Sequence, residues 1–143
     1  MKIESVMTVD PVCCYMEESP MEAARLMEQF DVGVIPITES QDSFKLVGLV
    51  TDRDIALSVV ARGKDPQTTT LSECMSNRII CCHPNDDVHE VITLMREHQV
   101  RRIPVVDEDN NIAGMVSIAD LVNIEDVNPL MQDISKEENT PHD

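Results

Sequence analysis

Apolar and polar positions along the chain follow two periods, and the same succession of periods occurs twice. Val12 to Met16 is a short apolar run after Pro11 and predicts a strand. Ser19-Pro20-Met21-Glu22 predicts a helix start, with Ser as the cap, Pro at the first helical position and Glu three residues after the cap. Ala23, Leu26, Met27 and Phe30 then recur at helical spacing and predict the buried stripe of that helix. Val32 to Thr38 and Leu46 to Val50 predict two strands joined by a polar turn, and Thr51 opens a second helix reaching about Ala61. Residues 63–70, with Gly63, Pro66 and three consecutive Thr, predict a linker.

The second half repeats this plan. Ile79 to His83 predicts a strand, and Asp87-Val88-His89-Glu90 a second capping box, with Val91, Ile92 and Met95 facing inward. Ile103 to Val106 and Ile112 to Val116 predict strands around the turn 107–111, and Ser117 opens the last helix. The landmarks recur at a fixed offset of 68 residues: Met7 with Met75, Cys13-Cys14 with Cys81-Cys82, Glu22 with Glu90, Ile35-Pro36 with Ile103-Pro104. Beyond the turn the offset is 66, where Gly48-Leu49-Val50-Thr51-Asp52-Arg53-Asp54 matches Gly114-Met115-Val116-Ser117-Ile118-Ala119-Asp120. Such an internal period is settled before any other feature, because it decides the fold. Each copy is too small to bury a good core alone, so the two are expected to pack face to face. The copies span 3–62 and 71–124; residues 125–143 are acidic, lack apolar periodicity and are expected to form a mobile tail.

Composition narrows the function. There is no Trp, one Tyr and two Phe, so the core must be aliphatic. A formal net charge of -16 argues against nucleic acid or an anionic membrane as partner, since both reward clustered Lys and Arg. No apolar run near Met1 is long enough for a leader and no stretch approaches a membrane span, so a cytoplasmic location with reduced thiols is expected.

Thr51-x-x-Asp54 and Ser117-x-x-Asp120 carry the candidate chemistry. Each is readable as a helix cap, with the hydroxyl accepting from the backbone and an acid three residues on. Two features favour a ligand as well. A Gly stands three residues before each hydroxyl, where backbone could approach a ligand closely, and the acid is Asp, short for a reach-back cap. No nucleophile pairs with a base, and no phosphate-cradling Gly-rich loop occurs, so an enzyme is not expected.

The repeated unit has Met-Thr or Met-Ser at its start, Ile-Pro before its second strand and Gly-x-x-Thr/Ser-x-x-Asp at its end, and so resembles the CBS domain, a tandem pair of which is a Bateman module. The resemblance implies an α+β fold of two β-α-β-β-α repeats about a pseudo-twofold axis, with two clefts. It implies a stand-alone regulatory role in which AMP, ADP, ATP, S-adenosylmethionine or NAD binds as a ligand, with no cofactor required. It places Asp54 and Asp120 at the ribose. One cleft would combine Ser117 and Asp120 with Thr8, Cys13, Gly33 and Val34 around the base and Arg101 or Arg102 near the phosphate. The other would combine Thr51 and Asp54 with Ser76 and Cys81 and no arginine pair, Gly33-Val34 standing where the second copy has Arg101-Arg102. A homodimer is expected, because residues 55–61 are apolar on nearly every side of a helix, with the helix 118–124 assisting. A regulated protein partner is expected too. The alternatives are a scaffold of this fold without nucleotide, or a thiol or metal sensor. Adjacent strand residues face opposite ways, so Cys13 with Cys14, and Cys81 with Cys82, are poorly placed to share an ion. All five cysteines read more simply as small buried hydrophobes, and no metal site is expected.

Overall fold

A computed structural model describes residues 1–121 and 124. The predicted tail, 125–143, and part of the last predicted helix lie outside the described residues. The elements are β1 (Thr8–Val9), β2 (Cys14–Tyr15), α1 (Pro20–Phe30), β3 (Val34–Ser40), β4 (Ser43–Thr51), α2 (Asp52–Ile55), α3 (Val88–His98), β5 (Arg102–Val106), β6 (Ile112–Ser117) and α4 (Ile118–Leu121). Short 3-10 turns cover Ile3–Ser5 and Leu71–Glu73, and α2 runs on into a π-helix, Ala56–Val60. The fold is α+β with two three-stranded sheets, in the orders β2-β3-β4 and β1-β6-β5.

The chain forms two compact units, and they do not follow the sequence period. One, here the Thr51 unit, comprises Pro11–Ile79 with Asp109–Ile112; the other, the Ser117 unit, comprises Met1–Asp10, Ile80–Glu108 and the chain from Ala113. Each copy therefore gives its leading segment to the unit built on the other copy. In the Thr51 unit β2 runs parallel to β3, with Cys14 opposite Ile37, and β3 runs antiparallel to β4, with Val34 opposite Thr51. Ser76, from the leading segment of the second copy, pairs with Leu49 through main-chain bonds of 2.8 and 2.9 Å. In the Ser117 unit the corresponding pairing sets Thr8 against Met115.

The core of each unit is aliphatic, as composition requires. Ile35, Ile37, Val50 and Val59 close around Leu71 in one; Ile92, Met95, Ile103 and Val116 close around Ile3 in the other, all fully buried. Leu71 and Ile3 are equivalent residues of the exchanged segments, so each core takes a buried residue from the leading segment of the other copy.

The caps explain where the helices start. Ser19 Oγ accepts from Glu22 N at 3.2 Å, with Pro20 at the first position. Asp87 caps α3 through His89 N at 3.0 Å and also takes the His89 ring at 2.9 Å, so its bonding runs to the second helical residue and not to Glu90. Both long helices end on a left-handed residue that is not glycine, Asp31 and Gln99, each at φ 53°.

Several expectations change. Phe30 is 48% exposed and does not belong to the buried stripe of α1. The predicted strand 79–83 is reduced to a single bridge, Cys82 with Val105. The second helix of the first copy reaches its predicted length only by widening: Ala61 N bonds to Ala56 O and Lys64 N to Val59 O, both five residues back. Ile118 and Leu121 of α4 are buried in their own unit, so the described part of that helix has no apolar face to offer a second chain.

The two glycines before the hydroxyls have a structural cause. A Cβ on Gly114 would lie 2.7 Å from Thr8 O and 2.8 Å from Met7 Sδ; one on Gly48 would lie 2.6 Å from Met75 Sδ and 3.0 Å from Ser76 O. They admit the exchanged segment to the sheet, a cause that by itself accounts for a glycine at each position. Gly114→Ala should destabilise the protein by about 1–3 kcal/mol, as overpacking does. Gly48→Ala should be milder, because its closest obstacle is a flexible methionine end and not a carbonyl. Urea unfolding of both variants checks the size and the order.

Candidate functional site

Each unit places a hydroxyl and a carboxylate at the joint between its last strand and the following helix. In the Thr51 unit, Thr51 ends β4 with φ -110° and ψ 163° and caps α2. Its Oγ1 accepts from Asp54 N at 3.0 Å, and Asp54 Oδ2 accepts from Thr51 N at 2.9 Å. In the Ser117 unit, Asp120 Oδ2 accepts from Ser117 N at 2.8 Å and from the Ser117 hydroxyl at 3.2 Å. The short Asp side chain does reach back, contrary to the expectation that it would be a poor cap. The extended backbone of the capping residue turns its N–H toward the third helical residue, so a longer acid is not needed.

The cap leaves part of each carboxylate available. No hydrogen bond among the described residues engages Oδ1 of Asp54 or of Asp120. The cap also holds each carboxylate in one orientation, which a ligand grip needs and a free surface side chain lacks.

The stretch before the Ile-Pro strand meets this joint in both units. Asp52 N donates to Gly33 O at 3.0 Å, and Ile118 N donates to Arg101 O at 2.8 Å. Val34 pairs with Thr51 across the sheet, and Arg102 begins β5. The Thr51 unit thus contains Thr51, Asp54, Gly33, Val34, Ser76 and Cys13; Cys13 donates its thiol to Pro11 O at 3.3 Å. The Ser117 unit contains Ser117, Asp120, Arg101, Arg102, Thr8 and Cys81, with both arginines exposed. Gly33 and Arg101, equivalent in sequence, hold equivalent main-chain bonds, while their side chains differ completely.

Asp52 is a residue the sequence reading passed over. Its carboxylate lies against Gly33: Oδ2 is 3.3 Å from where a Cβ on Gly33 would stand, and Oδ1 accepts from Arg53 N at 2.8 Å. The signal was present in the repeat, where Asp52 and Arg53 answer to Ile118 and Ala119.

The remaining chemistry is muted. A surface depression of about 410 Å³ in the Ser117 unit is lined by His83, Pro84, Asn85, Asp86, Asp107 and Glu108, none of them a predicted site residue. Its three acids make it a poor seat for a phosphate. The five cysteines are free thiols. Burial pushes Cys13 up to about 11 and Cys82 up to about 12, the latter helped by the charge of Asp86. Burial raises Cys14 further, with Glu18 adding to it, and raises Cys74 and Cys81. Among the described residues no group of three or more His, Cys, Asp or Glu side chains is placed to hold a metal ion. No helix among them is long and apolar enough to cross a membrane.

The CBS domain family model matches residues 3–61 and again 71–126. A CBS domain-containing protein of Bacillus subtilis, YhcV, is 40% identical over 119 residues, covering 83% of this chain and 81% of that protein. The crystal structure of Hypoxic Response Protein I with two coordinated zinc ions superposes with a TM-score of 0.78 at 34% identity, over 87% of this chain and 98% of that one. The CBS domain pair of protein MJ0100, in complex with 5′-methylthioadenosine and S-adenosyl-L-methionine, gives a TM-score of 0.75 at 26% identity, over 88% and 96%.

A raised thiol pKa fixes a direction of pH dependence. Cys13 and Cys82 stay protonated in the folded protein at pH values where the unfolded chain ionises, near 9. Their contribution to stability is complete below that value and is lost as pH rises toward 11–12. Urea midpoints should therefore fall between pH 8.5 and 10.5. Iodoacetamide at pH 7.5 should label the native thiols at least about tenfold more slowly than the same thiols in denaturant.

Proposed function

The chain belongs to the CBS domain family, and from that membership we propose that it is a stand-alone regulatory module. It binds an adenosine-containing ligand, such as AMP, ADP, ATP, S-adenosylmethionine or NAD, and signals occupancy to a protein partner. The observation that carries this reading is the joint of the Ser117 unit. Asp120 is fixed by its own cap with Oδ1 unengaged, and the carbonyl of Arg101, the residue before Arg102, accepts from Ile118 N at the start of α4. A carboxylate held this way suits the two hydroxyls of a ribose. A guanidinium brought to the same joint, for which exposed Arg102 is the proposed source, would suit a phosphate, which it can grip with two parallel hydrogen bonds. The Ser117 hydroxyl can turn from its bond to Asp120 toward an incoming oxygen. The adenosyl ligands in the MJ0100 domain pair support the same class of ligand here. No step of catalysis enters this reading. The ligand is held, and its presence is the output.

The proposed partner in solution is a second copy. Leu57 and Val60 are 49% and 71% exposed on the π-helical segment, and Phe30 is 48% exposed on α1, which packs against α2. A second chain of the same composition, covering those residues, removes apolar surface that water otherwise meets.

Arg102→Ala should lower the affinity for AMP by about 1.5–3 kcal/mol, the usual scale for a hydrogen bond to a charged group, and leave adenosine nearly unaffected. High salt should reproduce part of that loss, and Arg102→Lys should restore only part of the affinity. Calorimetry with both ligands checks this; equal responses of AMP and adenosine would remove Arg102 from the site. For the assembly, sedimentation at micromolar concentration should show a dimer, and a single species near 16.0 kDa would overturn it.

A further inference from the structure

The two glycines that admit the exchanged segments do so beside a sulfur. A Cβ on Gly114 would find as its three nearest atoms the carbonyl oxygen of Thr8 and Sδ and Cγ of Met7, at 2.7, 2.8 and 3.2 Å. A Cβ on Gly48 would find Sδ and Cγ of Met75 at 2.6 and 3.0 Å and the carbonyl oxygen of Ser76 at 3.0 Å. Met7 and Met75 are equivalent residues of the repeat, so both units set a thioether and a carbonyl against one bare glycine. Each of these methionines is part-exposed and packs against the core of its own unit. Other methionines serve as contrasts. Met95 and Met27 are buried in the cores, Met1 is 63% exposed, and the sulfur of Met21 accepts from Gln67 Nε2 at 3.5 Å at the surface.

We infer that Met7 and Met75 are paired oxidation sites, at which a peroxide-class oxidant unseats the exchanged leading segments. The inference is independent of the adenosyl reading. In the step, a lone pair of Sδ attacks one peroxide oxygen, the O–O bond breaks and an S–O bond forms. The proton on the transferred oxygen passes to the departing one, which leaves as water; sulfur is oxidised by two electrons and the peroxide reduced by two. The product is methionine sulfoxide, polar and larger by one oxygen. Its oxygen has two places to go. Toward the strand, contact is already full and the addition overpacks it. Toward solvent, hydration of the new oxygen draws the sulfur out of its seat. The Thr8 or Ser76 carbonyl beside it is an acceptor and offers the sulfoxide, itself an acceptor, no hydrogen bond. At Met21 the opposite holds, since the Gln67 amide is a donor that a sulfoxide oxygen can keep. The segment that moves carries Ile3 or Leu71, each fully buried, and in the Thr51 unit the main-chain bonds between Ser76 and Leu49. Loosening at the sulfur therefore reaches the core of each unit.

The test uses the full chain treated with hydrogen peroxide and then with dithiothreitol, which returns reversibly oxidised cysteines to thiols and leaves sulfoxides. Peptide mapping should find Met7 and Met75 converted before Met27 and Met95. With both converted, the urea midpoint should fall by about 0.5 M or more. Amide exchange in peptides covering 3–9 and 71–78 should quicken at least about tenfold. The two methionine sulfoxide reductases should restore both readouts. Met7→Leu combined with Met75→Leu conserves volume, so that chain should fold and keep its midpoint through the same treatment, with Met21 oxidised. Should that chain not fold, partly oxidised wild type decides: its midpoint should track conversion of Met7 and Met75 and not that of Met1 or Met21. A midpoint and exchange rates unchanged with Met7 and Met75 oxidised overturn the inference. So does an equal fall in the doubly substituted chain, a midpoint that tracks Met1 or Met21, or resistance of both sulfurs to peroxide that converts Met1 fully.

Discussion

The main-chain contact between a leading segment and a glycine-bearing strand holds the rest of the structure in register. At Gly114 the carbonyl of Thr8 comes so near the strand that no side chain fits between, and at Gly48 that of Ser76 comes nearly as close, 3.0 Å from where a Cβ would stand. That approach seats Ile3 and Leu71 in the two cores, where each is fully buried. It also fixes the strands ending at Thr51 and Ser117, the residues from which the site joints start. Packing in an aliphatic core is only moderately directional, since Val, Ile and Leu repack at small cost. The backbone clash at Gly114 is not negotiable in that way, so that glycine, with Gly48 in a milder degree, supplies specificity that the composition of the core does not.

Much of this was legible in the sequence, and the reasons differ by element. Ser19-Pro20 and Asp87 announced helix starts because a cap is a local interaction, complete within four residues. The repeat announced two equivalent sheets. Which segment joins which sheet was not legible, because a period reports likeness and says nothing of pairing between distant parts of the chain. The π-helix at Ala56–Val60 was hidden for a different reason: a run apolar on every side has no face whose period could distinguish 3.6 residues per turn from a wider coil. The helix ends at Asp31 and Gln99 were hidden because neither is the glycine that usually marks a left-handed cap.

At the joints, the residue types were legible and their bonding was not. Asp54 and Asp120 stood out as carboxylates in the right place, yet the length of the side chain suggested that they would leave the backbone alone. They do cap, one oxygen serving the backbone and the other left over. A substitution that frees the carboxylate therefore also loosens the helix start. Asp52 was overlooked because only comparison of the two copies position by position, with the main-chain bond of Gly33 in view, gives its charge a context.

The exchange of leading segments bears on how such a chain could arise. A single copy of the repeat contains a sheet and a segment that completes a different sheet, so alone it ends with an open strand edge and a core missing a fully buried residue. An ancestor of one repeat would have folded well only as two chains that traded segments, at a concentration high enough to meet. Joining the copies through residues 63–70 replaced that encounter with a tether, and the need for a partner became an effective concentration written into the chain. Once both halves were encoded in tandem, each could change without the other. A glycine in one and an arginine in the other is a difference that no symmetric pair of identical chains could have carried.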